Sequence, residues 1–206
     1  MWNEQIIMML LEGIKDTLYM TLTSTLIGYV IGLPMGILLT VTDKDGIHPN
    51  AAVYKVLDVI ANLIRSVPFL ILLIVLIPFT RFLIGRSYGP TATIVPLVIA
   101  AAPYIARMVE SSLKEVDAGV IEAARSMGAS NFTIVTKVML VEARTSLIVG
   151  ATISLGTILG YSAMAGTVGG GGLGDIAIRY GYTRWQTDIM IVTVILLVIL
   201  FQIFQT

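Results

Sequence analysis

The 206-residue chain contains no cysteine, one histidine and little charge. Without cysteine there is no disulfide, no thiolate metal site and no cysteine nucleophile, and nothing marks the redox character of the compartment. The one histidine, His48, lies in the loop "DKDGIHPN" and reads as a solvated polar residue rather than a ligand. Charged residues make up 13% of the chain, and 13 basic against 13 acidic residues leave a formal net charge of zero, so nothing points to a nucleic-acid partner. A phosphate loop is also missing. The glycine run "GGGGLGD" (Gly169 to Asp175) lacks the Gly-Lys-Ser/Thr that a Walker A loop needs, and no strand precedes it to make a dinucleotide fingerprint. It reads instead as a flexible, tightly turning segment where backbone can pack close to a neighbour.

What the chain has is apolar sequence in long blocks: 56% of residues are hydrophobic, and the mean hydropathy is +0.91. Thr17 through Thr42, Ser87 through Ala106, Thr145 through Gly174 and Ile189 through Thr206 each carry no charge. A helix rises about 1.5 Å per residue, so a hydrocarbon core of about 30 Å takes roughly 20 such residues. A fifth run, Ser66 to Thr80, is short, so its helix is expected to start earlier, in "VLDVIANLIR", with Arg65 near the interface. The expectation is an all-α membrane protein with five transmembrane helices at about 17–42, 58–80, 87–107, 144–166 and 187–206, after an outer segment 1–16. Helices are favoured because lipid offers no partner for an unpaired backbone group. The first run is too long for a cleavable signal peptide and lacks a basic leader and a small-residue cleavage site.

Lysine and arginine set the orientation. If 111–140 is cytoplasmic, Lys44, Lys55, Arg65, Arg107, Lys114, Arg125, Lys137 and Arg144 lie inside, and Lys15, Arg81, Arg86, Arg179 and Arg184 lie outside. This puts the N-terminus outside and the C-terminus in the cytoplasm, with Tyr182 and Trp185 as an outer interfacial belt. The absence of a basic tail after Gln205-Thr206 reads as a truncated C-terminus. Gly28, Gly32 and Gly36 share one helix face, as do Gly156 and Gly160, and small residues so spaced let helices approach closely, most simply within one subunit. Pro68, Pro90, Pro96 and Pro103 are expected to kink their helices.

Between two apolar runs stands "GVIEAARSMGASNFTIVTKVML", Gly119 to Leu140. Asp117 suits the N-cap of a helix beginning at Ala118. Val120, Ile121, Ala124 and Met127 share a face, leaving Glu122 and Arg125 free for polar contacts. Gly128 suits a left-handed C-cap, and Ser130 caps a second helix through Phe132, Val135 and Met139. The result is an elbow of two short helices with a small apolar patch. A helix lying on lipid would carry Trp, Phe or Leu on that patch, whereas this one is alanine-rich, which fits a groove on another protein better.

"EAARSMGAS" resembles the EAA loop of ABC importer permeases, in which Glu-Ala-Ala is followed after three residues by Gly. Glu122, Ala123, Ala124 and Gly128 match; the Leu-Pro pair often found further on is Leu140-Val141 here. "RSVPFLILLIVLIPFTRFLIG" and "MAGTVGGGGLGDIAIRYGYTRWQTDIM" extend the similarity, from Thr17 onward, to the permease subunits of methionine ABC importers. That resemblance implies a type I ABC permease core (17–206) whose coupling helix pair presents Glu122, Ala123, Ala124, Met127, Gly128 and Ala129 to a cytoplasmic ATPase. It also implies a homodimer of permease, two ATP-binding subunits that hold ATP and Mg, and an external methionine-binding lipoprotein at a bacterial inner membrane. No cofactor, metal or catalytic residue is expected in this chain. Substrate contacts are not assigned, although Met108, Met164 and Met190 offer thioethers.

Two other classes fit less well. An ion-coupled secondary amino-acid carrier usually places a carboxylate, histidine or arginine at mid-membrane, and no charge lies near the centre of the five runs. An intramembrane enzyme needs a base for Ser154 or Ser162, and the chain places no histidine or lysine in reach.

Overall fold

The computed structural model describes residues 4–205. Regular structure among them is helical: α1 (Glu4–Thr42), α2 (Ala51–Ser66), α3 (Phe69–Val75), α4 (Ile77–Ile84), α5 (Pro90–Lys114), α6 (Ala118–Ser126), α7 (Asn131–Thr133), α8 (Leu140–Glu142), α9 (Arg144–Ala165), α10 (Gly172–Ile176) and α11 (Thr187–Gln205). Two π-helical stretches, Ile134–Met139 and Ala177–Tyr182, and a 3₁₀ turn at Gly166–Val168 complete the set. Among the described residues four runs are long and apolar enough to cross a membrane: Glu4–Thr42, Pro90–Lys114, Arg144–Tyr182 and Thr187–Gln205. The fifth expected span exists only if α2 and α3 are taken together, because the chain breaks at Val67-Pro68. Proline lacks the amide a continuing helix needs and pushes its predecessor out of the α region.

Other expectations shift for equally local reasons. α1 begins at Glu4, well ahead of its charge-free run, so the segment expected to precede the first span is helical with it over the described residues. Pro90 opens α5 instead of kinking it; at a first helical position its missing amide costs nothing. Hydroxyls within the spans bond back to carbonyls four residues earlier: Thr17 Oγ1 donates to Gly13 O at 2.8 Å, Thr25 Oγ1 to Thr21 O at 2.7 Å and Thr40 Oγ1 to Gly36 O at 3.0 Å.

The chain divides into two compact units. The first comprises Met1–Ile27, Val67–Ala100 and Leu155–Thr206, with a core around Leu10, Leu159, Leu173, Ile176, Ile189 and Leu200. The glycine run belongs to this core and is no loose segment. Leu173 is fully buried, and its amide donates to Thr17 Oγ1 at 2.9 Å. Gly172 holds φ +75°, and a Cβ there would lie 2.6 Å from that same hydroxyl. The Gly170 amide donates to Ala165 O at 2.9 Å, and Gly169 O accepts from the Gly89 amide at 2.9 Å.

The second unit comprises Gly28–Ser66 and Ala101–Ser154. Here the glycine face of α1 lies against α5 of the same chain. A Cβ on Gly32 would stand 2.6 Å from Ala102 O, and one on Gly36 2.5 Å from Ala106 O. Gly156, in the first unit, packs against the Phe201 ring, but Gly160 faces open space, so its glycine spacing does not mark a contact within the chain.

Gly32→Val is therefore expected to destabilise the chain by about 1–3 kcal/mol through overpacking, whereas Gly160→Ala, inside α9 with open space around it, is expected to stabilise it by about 0.5–1 kcal/mol. Unfolding midpoints measured in detergent check both; equal midpoints would contradict the packing.

Candidate coupling elbow

The elbow starts from two caps. Asp117, with extended backbone (φ −61°, ψ 129°), accepts the Gly119 amide on Oδ1 at 2.7 Å and opens α6. At the other end Gly128 adopts φ +81°, its amide donating to Arg125 O at 3.0 Å while that of Ala129 donates to Ala124 O at 3.1 Å. These two bonds are the Schellman pair, and a residue without a Cβ is favoured at the left-handed position. Ser130 then accepts the Thr133 amide at 3.2 Å and opens the second limb.

That limb is not the α-helix expected. After α7 the chain winds as a π-helix from Ile134 to Met139. The wider turn brings residues five apart to one side, so Ile134 and Met139 are both buried, whereas Phe132 is 78% exposed.

Of the six expected coupling residues, Glu122, Ala123, Met127 and Gly128 are exposed, Ala129 is half-buried and Ala124 is buried. Met127, 81% exposed, stands out at the end of α6. Ala124 supports the helix from behind. Arg125, expected to be available for a polar contact, makes one: its Nη2 donates to Ile47 O at 2.8 Å, in the connection between α1 and α2.

A row of charges behind the elbow went unread in the sequence. Glu110, only 5% exposed, takes Lys114 Nζ on Oε1 at 2.8 Å and Arg107 Nη1 on Oε2 at 2.7 Å. Lys114 Nζ reaches Asp43 Oδ2 at 2.6 Å, and Arg107 Nη2 contacts Asp58 and, at 3.0 Å, Asn62 Oδ1. Arg107, Glu110 and Lys114 are spaced three and four apart, which puts them on one face of α5. Ending the third span at residue 107 cut this pattern in two. The bond from Lys114 holds the Asp43 carboxyl below its ordinary value of 3.8.

The glycine-run amides named above already bond within the chain, so they form no cradle for phosphate. Among the described residues no group of three or more His, Asp or Glu is placed to hold a metal ion. Ser154 and Ser162 donate to the carbonyls of Gly150 and Leu159 at 2.8 and 2.7 Å. Met164 is exposed, and Met190 lies against Gly181.

Residues 14–206 match the family described as "Binding-protein-dependent transport system inner membrane component". The chain is 48% identical over 198 residues to the probable D-methionine transport system permease protein MetI of Vibrio cholerae, covering 96% of this chain and 88% of that one. It is 51% identical over 164 residues to the D-methionine transport system permease protein MetI of Escherichia coli, covering 80% and 76% respectively. A chain of the MetNI methionine ABC transporter, solved in inward-facing conformations, superposes with a TM-score of 0.97 at 49% identity, covering 99% of this chain and 94% of that one.

Two outcomes follow from the charge row. Glu110→Ala is expected to cost about 3 kcal/mol, the low end for a broken buried pair, because Arg107 keeps Asp58 and Lys114 keeps Asp43. Asp43, depressed in the folded state, contributes stability above its ordinary pKa and loses it as pH falls through the lower folded value. Acid titration of unfolding should therefore flatten in Asp43→Asn; an unchanged acid limb would contradict the pairing.

Proposed function

The chain belongs to the family of binding-protein-dependent transport system inner membrane components, and from that premise we propose that it is the permease subunit of an ATP-driven importer for methionine. Its relatives named for D-methionine transport support the substrate. What carries the reading is the elbow itself: a helix pair capped at three points, tied through Arg125 to the Ile47 carbonyl, and turning Glu122, Ala123, Met127 and Gly128 to the surface. A chain that is otherwise apolar spans has little use for such a feature unless another protein grips it.

The subunit is non-catalytic. ATP and Mg bind a separate ATPase, two copies of which pair with two copies of this permease. In this scheme nucleotide closes the ATPase pair, the two elbows follow, and the permease exchanges inward- and outward-open states. An external methionine-binding lipoprotein delivers the substrate, and hydrolysis resets the pair. Only a difference in how the ATP-bound and ATP-free partners contact the two states can drive the exchange. The elbow then faces the cytoplasm, with the N-terminus outside and the C-terminus inside, and Tyr182 and Trp185, both exposed, belong to the outer interface. The secondary-carrier reading is not favoured: the charges near the elbow, buried Glu110 with Arg107 and Lys114, are committed to one another and to Asp43 and Asp58.

Reconstitution with the candidate ATPase and binding protein tests this. Methionine uptake should require ATP, and Glu122→Lys or Gly128→Asp should lower it about tenfold or more while the helical core stays folded. Uptake driven by a proton gradient without ATP would discard the proposal.

A further inference from the structure

The connection 43–50 between α1 and α2 is fastened at both ends and in the middle. The His48 amide donates to Val41 O at 3.0 Å and that of Asn50 to Thr42 O at 2.9 Å, so the segment folds back onto the last turn of α1. Asn50 Oδ1 accepts the Val53 amide at 3.2 Å and starts α2. Gly46 packs so closely that a Cβ would lie 2.4 Å from Val41 O. The segment therefore has little slack: a pull on Ile47 passes through His48 to α1 and through Asn50 to α2.

Two side chains pull on it. Arg125 of α6 donates to Ile47 O at 2.8 Å, and Lys114, at the end of α5, pairs with Asp43 at 2.6 Å. Between the two ties lies a cavity of about 500 Å³ lined by both of them and by Thr40, Leu113, Ile121 and Glu122. Packing behind α6 is thus incomplete, and the polar ties bridge the gap. α6 follows α5 directly in the chain, so any displacement reaches α5 through covalent bonds. Nothing covalent nearby joins α6 to α1 or α2.

We propose that segment 43–50 is a strap through which the elbow also moves α1 and α2, with Arg125 and Asp43 as its positioning residues. Charge-assisted bonds suit this task, being stronger and more directional than neutral ones. The inference rests on the elbow being the ATPase contact.

The test uses the full transporter in proteoliposomes and reads methionine taken up per ATP hydrolysed. The double variant Asp43→Asn/Arg125→Gln should lower that ratio about fivefold or more while hydrolysis persists. Each single change should lower it less, because the other tie remains, and Asp43→Glu/Arg125→Lys should restore the ratio. A double variant with the unaltered ratio would overturn the strap, as would uptake and hydrolysis falling together with the unfolding midpoint, which is what a merely structural contact does. An ATPase that fails to co-purify with the unaltered chain would overturn the elbow reading and the strap with it. Co-purification with an unchanged ratio overturns the strap alone.

Discussion

Glu110 has a carboxylate buried in a chain that is mostly oil, and it is tolerable there only because each oxygen has a cation. The two cations in turn reach Asp58 on α2 and Asp43 beyond α1. One residue thus ties three parts of its unit together just where α5 gives way to the elbow. Replacing such a row with apolar side chains would often cost nothing in stability. Its value lies in geometry: it fixes the base from which α6 projects, and the caps at Asp117, Gly128 and Ser130 fix the bend beyond it.

The rest of the second unit follows from the constraint that lipid imposes. Backbone groups are satisfied inside helices, side-chain hydroxyls bond to their own helix, and glycine lets α1 and α5 approach until Ala102 O stands where a side chain would begin. The same economy shapes the glycine run of the first unit. The amides of Gly169, Gly170 and Leu173 meet the carbonyls of Gly166 and Ala165 and the Thr17 hydroxyl, and the positive φ of Gly172 turns the chain into the core around Leu173.

Local chemistry was the most legible part of the sequence. Asp117, Gly128 and Ser130 each cap as their side chains, or the lack of one, dictate, and the glycine stripe of α1 packs within the chain. Features that depend on winding or on distant partners were hidden. The π-helical stretch changes which residues of the second limb are buried, and no propensity announces it. The polar contact of Arg125 was expected but its partner was not, because the acceptor is the backbone of Ile47 and any residue offers a carbonyl. Asp58 and Asp43 lie far in sequence from Arg107 and Lys114, so only the α5 part of the charge row, at 107, 110 and 114, could be read from spacing.

The central claim is that the outer face of this elbow is held by a separate motor protein. Because the chain contains no cysteine, Met127→Cys supplies a single thiol at a highly exposed position of the elbow. In native membranes that thiol should cross-link to the ATPase subunit, and the yield should change when nucleotide is added. Labelling by a reagent dissolved in the lipid phase, with no cross-link under any nucleotide condition, would contradict the account.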